Sequence, residues 1–307
     1  MRTSFIRQLT TMALQDQRIQ VILPDIGVFA FKQASFPENQ LHNVGICEAL
    51  ATNLASGLAV VGMIPFIYSI APFVTERCYE QIKMACYNNL PIKIVGVGAG
   101  LSYYHEGPSH HAINDIAIMR VLPNMSVYSP CSSEETALIT ERMVNNGEPS
   151  YIRLTTKPSD EYDWDVEEYQ PLMCASYSNN SKIAVFTTGG IISNVLQAID
   201  NDQEFSVYSI SQISPFVLSD TGVDFLSILK THRKIIVVEE HSVHCGLASV
   251  ISDFMTSYGI NSILYRNGVN DSYSPICDSY SAILKHNSLD VESLAFKFKR
   301  IKDRANV

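Results

Sequence analysis

Charge is scarce in this chain. Of its 307 residues, 17% are Asp, Glu, Lys or Arg, whereas 46% are hydrophobic. That length supports two domains with sizeable cores. The low charge also points to apolar surface covered by a partner chain, since isolated monomers seldom expose large apolar patches. Basic residues are the scarcer sign, 22 against 31 acidic, for a formal net charge of −9. This balance, with no basic patch interleaved with aromatics, argues against a nucleic-acid partner. One basic cluster, Lys297, Lys299, Arg300, Lys302 and Arg304, reads as a solvated helix end. The seven cysteines are odd in number, scattered and without a C-x-x-C. They suit reduced thiols in a cytoplasm better than a disulfide framework. No apolar run is long enough for a bilayer span. Met1 to Ser4 lead into a mixed helix bearing Gln8, Asp16 and Gln17, so neither a membrane anchor nor a signal peptide is expected.

What is present is an alternation of strand and helix. Helices are expected over 4–16, Glu48 to Val61, Phe73 to Asn88, Asn114 to Leu122 and Ser133 to Asn146, the last capped by Ser132 or Ser133. Between them, Ile19 to Leu23, Ile64 to Ile70, Pro91 to Val97 and Met125 to Tyr128 read as strands. A polar stretch, Thr156 to Asn180, breaks the pattern and reads as a linker. The alternation then restarts, with strands at Lys182 to Phe186, Phe205 to Ile210, Lys234 to Val238 and Ser262 to Tyr265, and a helix over Ile191 to Ile199. The class is α/β, with two parallel or mostly parallel sheets in domains spanning 1–170 and 171–307.

Three stretches carry candidate chemistry. From Gly45 to Val74 the only group charged at neutral pH, the Cys47 thiol aside, is Glu48. A carboxylate in apolar surroundings is costly, so Glu48 must be exposed at an end, paired, or held for chemistry. The second is the loop Gly98 to His111, with His105, His110, His111, Glu106, two tyrosines and two serines. It follows a buried strand, where open α/β sheets bind ligands. His105, Glu106 and His110 lack a zincin spacing because Gly107-Pro108 interrupts any helix, and no metal site is expected there. The third is Glu239 to Gly246, where Cys245 with His241 or His244 could form a nucleophile pair; packing at a subunit contact is the plainer reading. Gly189-Gly190 reads as a structural turn.

In order along the chain, Gly-x-x-Glu at Gly45–Glu48, the Phe73-Val74 helix start, Glu106-Gly-Pro-Ser-His110, Ile-Met-Arg-x-Leu-Pro-Asn ending at Asn124, and Val-Val-Glu-Glu-His ending at His241 closely resemble the C-terminal section of transketolase. The resemblance covers essentially the whole chain and implies a pyrimidine-binding domain followed by a transketolase C-terminal domain. It implies that Glu48 hydrogen-bonds the aminopyrimidine of thiamine diphosphate, that Phe73 stacks on that ring with Ile70 beside it, and that Asp25 keeps an early acidic turn. His110 matches a histidine that contacts substrate hydroxyls. Glu106 stands where the family motif has Asp, and His111 where it commonly has Gln. His105 is a further candidate for proton transfer.

Departures from the family pattern are equally specific. Gly98 stands where transketolases carry a histidine. The acceptor-phosphate arginine would fall near Thr156, with Lys157 adjacent and Arg153 just before. Val28, Phe29 and Ala30 replace the usual polar residues after Asp25-Ile26-Gly27. An acceptor other than an ordinary sugar phosphate is therefore expected. The Gly-Asp-Gly…Asn motif that carries magnesium and the cofactor's diphosphate occurs nowhere in the 307 residues. The expectation is a split enzyme: a separate transketolase-like N-terminal subunit supplies the diphosphate half and most of the hold on thiamine diphosphate and Mg2+, within a heterotetramer that includes a homodimer contact. The reaction expected is transfer of a two-carbon ketol unit from a ketose to an aldehyde. Two rivals stand beside it: decarboxylation of a 2-oxoacid, as in deoxyxylulose-phosphate synthases and 2-oxoacid dehydrogenase β-subunits, and a catalytically silent scaffolding paralogue.

Overall fold

The computed structural model describes residues 1–156, 168–216 and 224–304. The first half runs α1 (Arg2–Ala13), β1 (Ile19–Leu23), α2 (Val28–Gln33), β2 (Leu41–Asn43), α3 (Glu48–Val60), β3 (Ile64–Ile70), α4 (Ala71–Thr75), α5 (Tyr79–Tyr87), β4 (Lys93–Val97), α6 (Asp115–Arg120), β5 (Ser126–Tyr128), α7 (Ser133–Asn145) and β6 (Ser150–Leu154). The second half runs β7 (Leu172–Ser176), β8 (Ile183–Thr188), α8 (Ile192–Ile199), β9 (Phe205–Ile210), β10 (Gln212–Ser214), α9 (Phe225–Thr231), β11 (Lys234–Ser242), α10 (Leu247–Ser257), β12 (Ile263–Val269), α11 (Tyr280–His286) and α12 (Val291–Asp303).

Two sheets result. The first has the order β10-β5-β6-β4-β3-β1-β2 and the second β12-β11-β8-β9-β7. All pairings are parallel except β10 with β5 and β7 with β9. Parallel strands covered on both faces read as unbroken apolar runs, and β4, β6 and β8 are buried at every position. β10 leaves the second half to edge the first sheet. One hydrophobic cluster also runs from Ile22, Ala51 and Ile67 through to Phe186, Tyr208 and Phe225, so the halves share a core.

Local signals explain the helix ends. The Ser132 hydroxyl accepts from the Glu135 amide at 3.0 Å, and the Glu135 carboxylate accepts from the Cys131 amide at 2.7 Å; together they cap α7. The basic C-terminal cluster is partly tied down, since Lys302 pairs with Asp202 at 2.6 Å. The Lys234 ammonium donates to the carbonyls of Ile301, Lys302 and Arg304 at the end of α12, the cation expected at that pole of the helix dipole.

Two expectations are corrected. The helix expected over Phe73 to Asn88 is two, α4 and α5, because Pro72 starts a turn early and the backbone leaves helical geometry at Cys78. The stretch Thr156 to Asn180 is not all linker: β7 lies in it, an edge strand whose exposed Cys174 and Ser176 gave no strand-like apolar run. Residues 157–167, and with them Lys157, lie outside the described residues. Among the described residues, no helix is long and apolar enough to cross a membrane.

Candidate active site

The carboxyl ends of β1, β2, β3 and β4 converge on one edge of the first sheet. Asp25 follows β1 in a left-handed turn (φ 67°). The Asn43 side-chain oxygen accepts from the amides of both Asp25 and Gly45, at 3.2 and 3.0 Å. This bond pair ties the acidic turn to the entry of α3. Glu48 then sits in the first turn of α3, only 6% exposed, where the helix dipole favours a negative charge.

Glu48 is not alone, although no charge near it in sequence announced a partner. Arg77, at the break between α4 and α5, donates from Nη1 to Glu48 Oε1 at 3.1 Å. Its guanidinium also lies over the Phe73 ring, 3.9 Å from the centroid. Phe73 in turn meets His110 edge-on at 4.9 Å, and Tyr103 flanks His110 at 6.0 Å. His110 Nδ1 is 3.0 Å from the Ser109 hydroxyl. Ile70, the last residue of β3 and three positions before Phe73, is buried. Residues from three separate strand ends thus form a continuous row: Glu48, Arg77, Phe73, His110, Tyr103.

The loop that carries His110 is held from both domains. Gly98 has φ 82°, and a β-carbon there would lie 2.0 Å from the Tyr103 ring. Glycine is required twice over, and Tyr103 fills the space a side chain at 98 would take. Further on, the Leu101 amide donates to Glu240 Oε2 at 3.0 Å, and the Cys277 amide donates to the Tyr104 carbonyl at 3.0 Å. Burial pushes the Glu240 carboxyl up, and Tyr280 donates a hydrogen bond to it.

Other candidate residues fall elsewhere. His105 and Glu106 face each other at 3.2 Å on the exposed rim of the loop. His111 turns inward, 3% exposed, and lines an adjoining cavity of about 590 Å³ with Glu76, Ser109, Asn114, Ser242 and Asp271. Burial lowers its pKa, keeping the ring neutral. Among the described residues, no three His, Cys, Asp or Glu side chains converge as metal ligands.

The segment 239–246 joins the domains. The Glu239 carboxylate accepts from the Leu247 and Ala248 amides at the start of α10 (2.7 and 3.0 Å). His241 is fully buried, with Nδ1 3.0 Å from the Ser242 carbonyl and Nε2 3.4 Å from the Ala117 amide. Both its nitrogens are engaged, so it cannot serve Cys245 as a base. Arg153 is likewise unavailable to an acceptor. It is 3% exposed, its Nε lies 3.0 Å from Asp115 Oδ2, and Nη2 donates to the carbonyls of Ala112 and Glu240. The Nε contact is ionic rather than an aligned hydrogen bond. Tyr151 completes the group, donating to Asp115 at 2.6 Å. Arg77 is the residue that sequence reasoning missed. Its one advance signal was being the first basic residue after the uncharged stretch.

Comparison with known proteins agrees with this architecture. Residues 1–159 match the transketolase pyrimidine-binding domain and residues 176–293 the transketolase C-terminal domain. The chain is 31% identical over 264 residues to an apulose-4-phosphate transketolase subunit of Actinobacillus succinogenes, covering 84% of this chain and 83% of that protein. It is 27% identical over 287 residues to a 6-deoxy-6-sulfo-D-fructose transketolase subunit of Clostridium sp. (strain MSTE9), covering 90% and 86%. A solved split-gene transketolase, an inactive β4 tetramer, superposes with a TM-score of 0.81 at 25% identity, covering 97% of this chain and 96% of that one. The chain therefore belongs to the transketolase family, with the pyrimidine-binding domain leading and the transketolase C-terminal domain following.

Proposed function

We propose that this chain is the pyrimidine-domain subunit of a split thiamine-diphosphate-dependent transketolase, acting in the cytoplasm on sugar substrates with domains over 1–170 and 171–307. The observation that carries the proposal is the Glu48–Arg77–Phe73 contact. A planar N–H donor bonded to the carboxylate at 3.1 Å and lying 3.9 Å over the ring has the shape and hydrogen bonding that an aminopyrimidine needs. The residues present therefore fit that half of the cofactor.

Thiamine diphosphate, when bound, supplies a carbanion-stabilising centre for ketol transfer. The residues of this chain do the rest. Glu48 would hold the pyrimidine through a ring nitrogen, as the acid–base group beside it. Phe73 would take the flat face of the ring, with the buried Ile70 as an apolar neighbour. Asp25, tied to Gly45 through Asn43, steadies the turn from which Glu48 projects. His110, oriented by Ser109 and held between Phe73 and Tyr103, bonds substrate hydroxyls and moves a proton at the reacting oxygen. His105 and Glu106 stand at the substrate entrance, and Lys157 is assigned to the acceptor. His111 lines the cavity that also holds Ser109 and Asp271, and it stays a candidate for substrate contact from that side.

With Arg153 committed to Asp115 and Tyr103 filling the space above Gly98, this half of the site suits an acceptor that is not gripped through a phosphate in the usual way. The Gly-Asp-Gly…Asn motif is missing from the 307 residues, so a second subunit is assigned the diphosphate and Mg2+ in a heterotetramer. Among exposed apolar side chains, Leu50 and Leu54 lie one turn apart on α3 and Ile46 just before it, suited to a subunit contact. Titration calorimetry with thiamine diphosphate and Mg2+ tests the reading. Tight binding is expected only when the diphosphate-binding subunit is present; tight stoichiometric binding to this chain alone would refute it.

A further inference from the structure

We infer that Arg77 is a gate on the pyrimidine half-site: its guanidinium occupies the place between Glu48 and Phe73 that the cofactor ring must take, so the ring binds by displacing it. This inference rests on the assignment of Glu48 and Phe73 to the pyrimidine, and extends it to how the site is kept before the cofactor arrives.

The geometry is specific. Arg77 makes two contacts at once, a hydrogen bond to Glu48 Oε1 at 3.1 Å and a stacked contact 3.9 Å above the Phe73 centroid. A flat ring stacked on that face of Phe73 and bonded to Glu48 would occupy the same volume. Glu48 is 7% exposed at its side chain, but Arg77 is 50% exposed. The carboxylate is thus fixed in the protein while its partner has open solvent on one side, into which the long side chain can swing. Arg77 also lies at the helix break between α4 and α5, so its reorientation disturbs no helical hydrogen bond. A buried carboxylate left without any partner is costly. The guanidinium removes that cost until a ring nitrogen takes over the bond.

A gate and a fixed support for Glu48 predict opposite signs. Losing a half-exposed ion pair together with a cation–π contact is equivalent to about a tenfold change in an equilibrium constant. In the full chain complexed with its diphosphate-binding subunit, Arg77→Met should tighten thiamine diphosphate binding by about tenfold in calorimetry with Mg2+. Unchanged or weaker binding would overturn the gate. A second measurement avoids any folding defect of the variant. In the unsubstituted complex, phenylglyoxal labelling of Arg77, read by peptide mass spectrometry, should rise when thiamine diphosphate is added; protection would overturn the gate. Glu48→Gln separates the two levels of inference. If it leaves cofactor affinity and turnover unchanged, the assignment of Glu48 to the pyrimidine fails. If it weakens binding while Arg77→Met does not strengthen it, only the gate fails.

Discussion

Arg153 offers the sharpest test of how the two domains hold the site loop. Its side chain is 3% exposed and that of its partner Asp115 is 1% exposed. Arg153 also supplies hydrogen bonds to the carbonyls of Ala112, at the base of the loop, and Glu240, in the second domain. In Arg153→Met, Asp115 becomes a buried charge whose remaining partner is the Tyr151 hydroxyl, and two buried carbonyls lose a donor. Removing one member of a buried pair costs about 3–5 kcal/mol, mostly because the other charge is stranded. Replacing both members is far milder. Asp115→Asn keeps an acceptor for Tyr151, so Arg153→Met combined with Asp115→Asn should recover about 1–3 kcal/mol of the loss. Urea unfolding followed by fluorescence and circular dichroism measures all three variants. A loss below about 1 kcal/mol in Arg153→Met, or a double variant as unstable as the sum of the singles, refutes the reasoning.

Two further predictions concern other buried positions. Lys93 is fully buried and desolvation lowers its pKa to about 7 from an ordinary 10.5, with Asn146 accepting from its ammonium at 2.6 Å. Between those values the unfolded chain binds the extra proton, so stability should rise with pH from about 7 towards 10 and be insensitive to this group below 7. Urea midpoints at pH 7 and 9 should show that rise in the parent and a smaller one in Lys93→Met; equal slopes would exclude it. At Gly98, alanine meets both a left-handed backbone and the Tyr103 ring. Gly98→Ala should lose about 1–2 kcal/mol and, by moving Tyr103 against His110, should impair turnover more than stability. Adding Tyr103→Ala should relieve the clash. A Gly98→Ala enzyme with parental melting temperature and kinetics would contradict this.

The alternation of elements was legible because parallel strands buried on both faces, such as Lys93–Val97, read as apolar runs between helices, one of which, α7, is marked by its Ser132 cap. Short or edge elements were not. β2 and β10 are three-residue strands at the two edges of the first sheet, without the buried apolar run that marks the equally short β5, and β10 pairs with a strand more than eighty positions away. In the candidate site, Glu48 stood out because charge is scarce around it, and the loop 98–111 because its polar residues cluster. Arg77 was hidden by the helix break that turns it towards Glu48, which a continuous helix over 73–88 does not contain. Arg153 and His241 carried polar side chains that sequence alone allowed to be functional. Burial and interdomain hydrogen bonds give them structural work instead.

In the proposed function, Glu48 bonds and activates a pyrimidine held between two kinds of subunit. Its most direct test is the rate of ketol transfer by the reconstituted complex at saturating thiamine diphosphate and Mg2+, with and without Glu48→Gln. Loss of a positioned acid–base group predicts a fall of about 10²–10⁴-fold in kcat with the complex still assembled. Turnover within twofold of the parent would contradict the account.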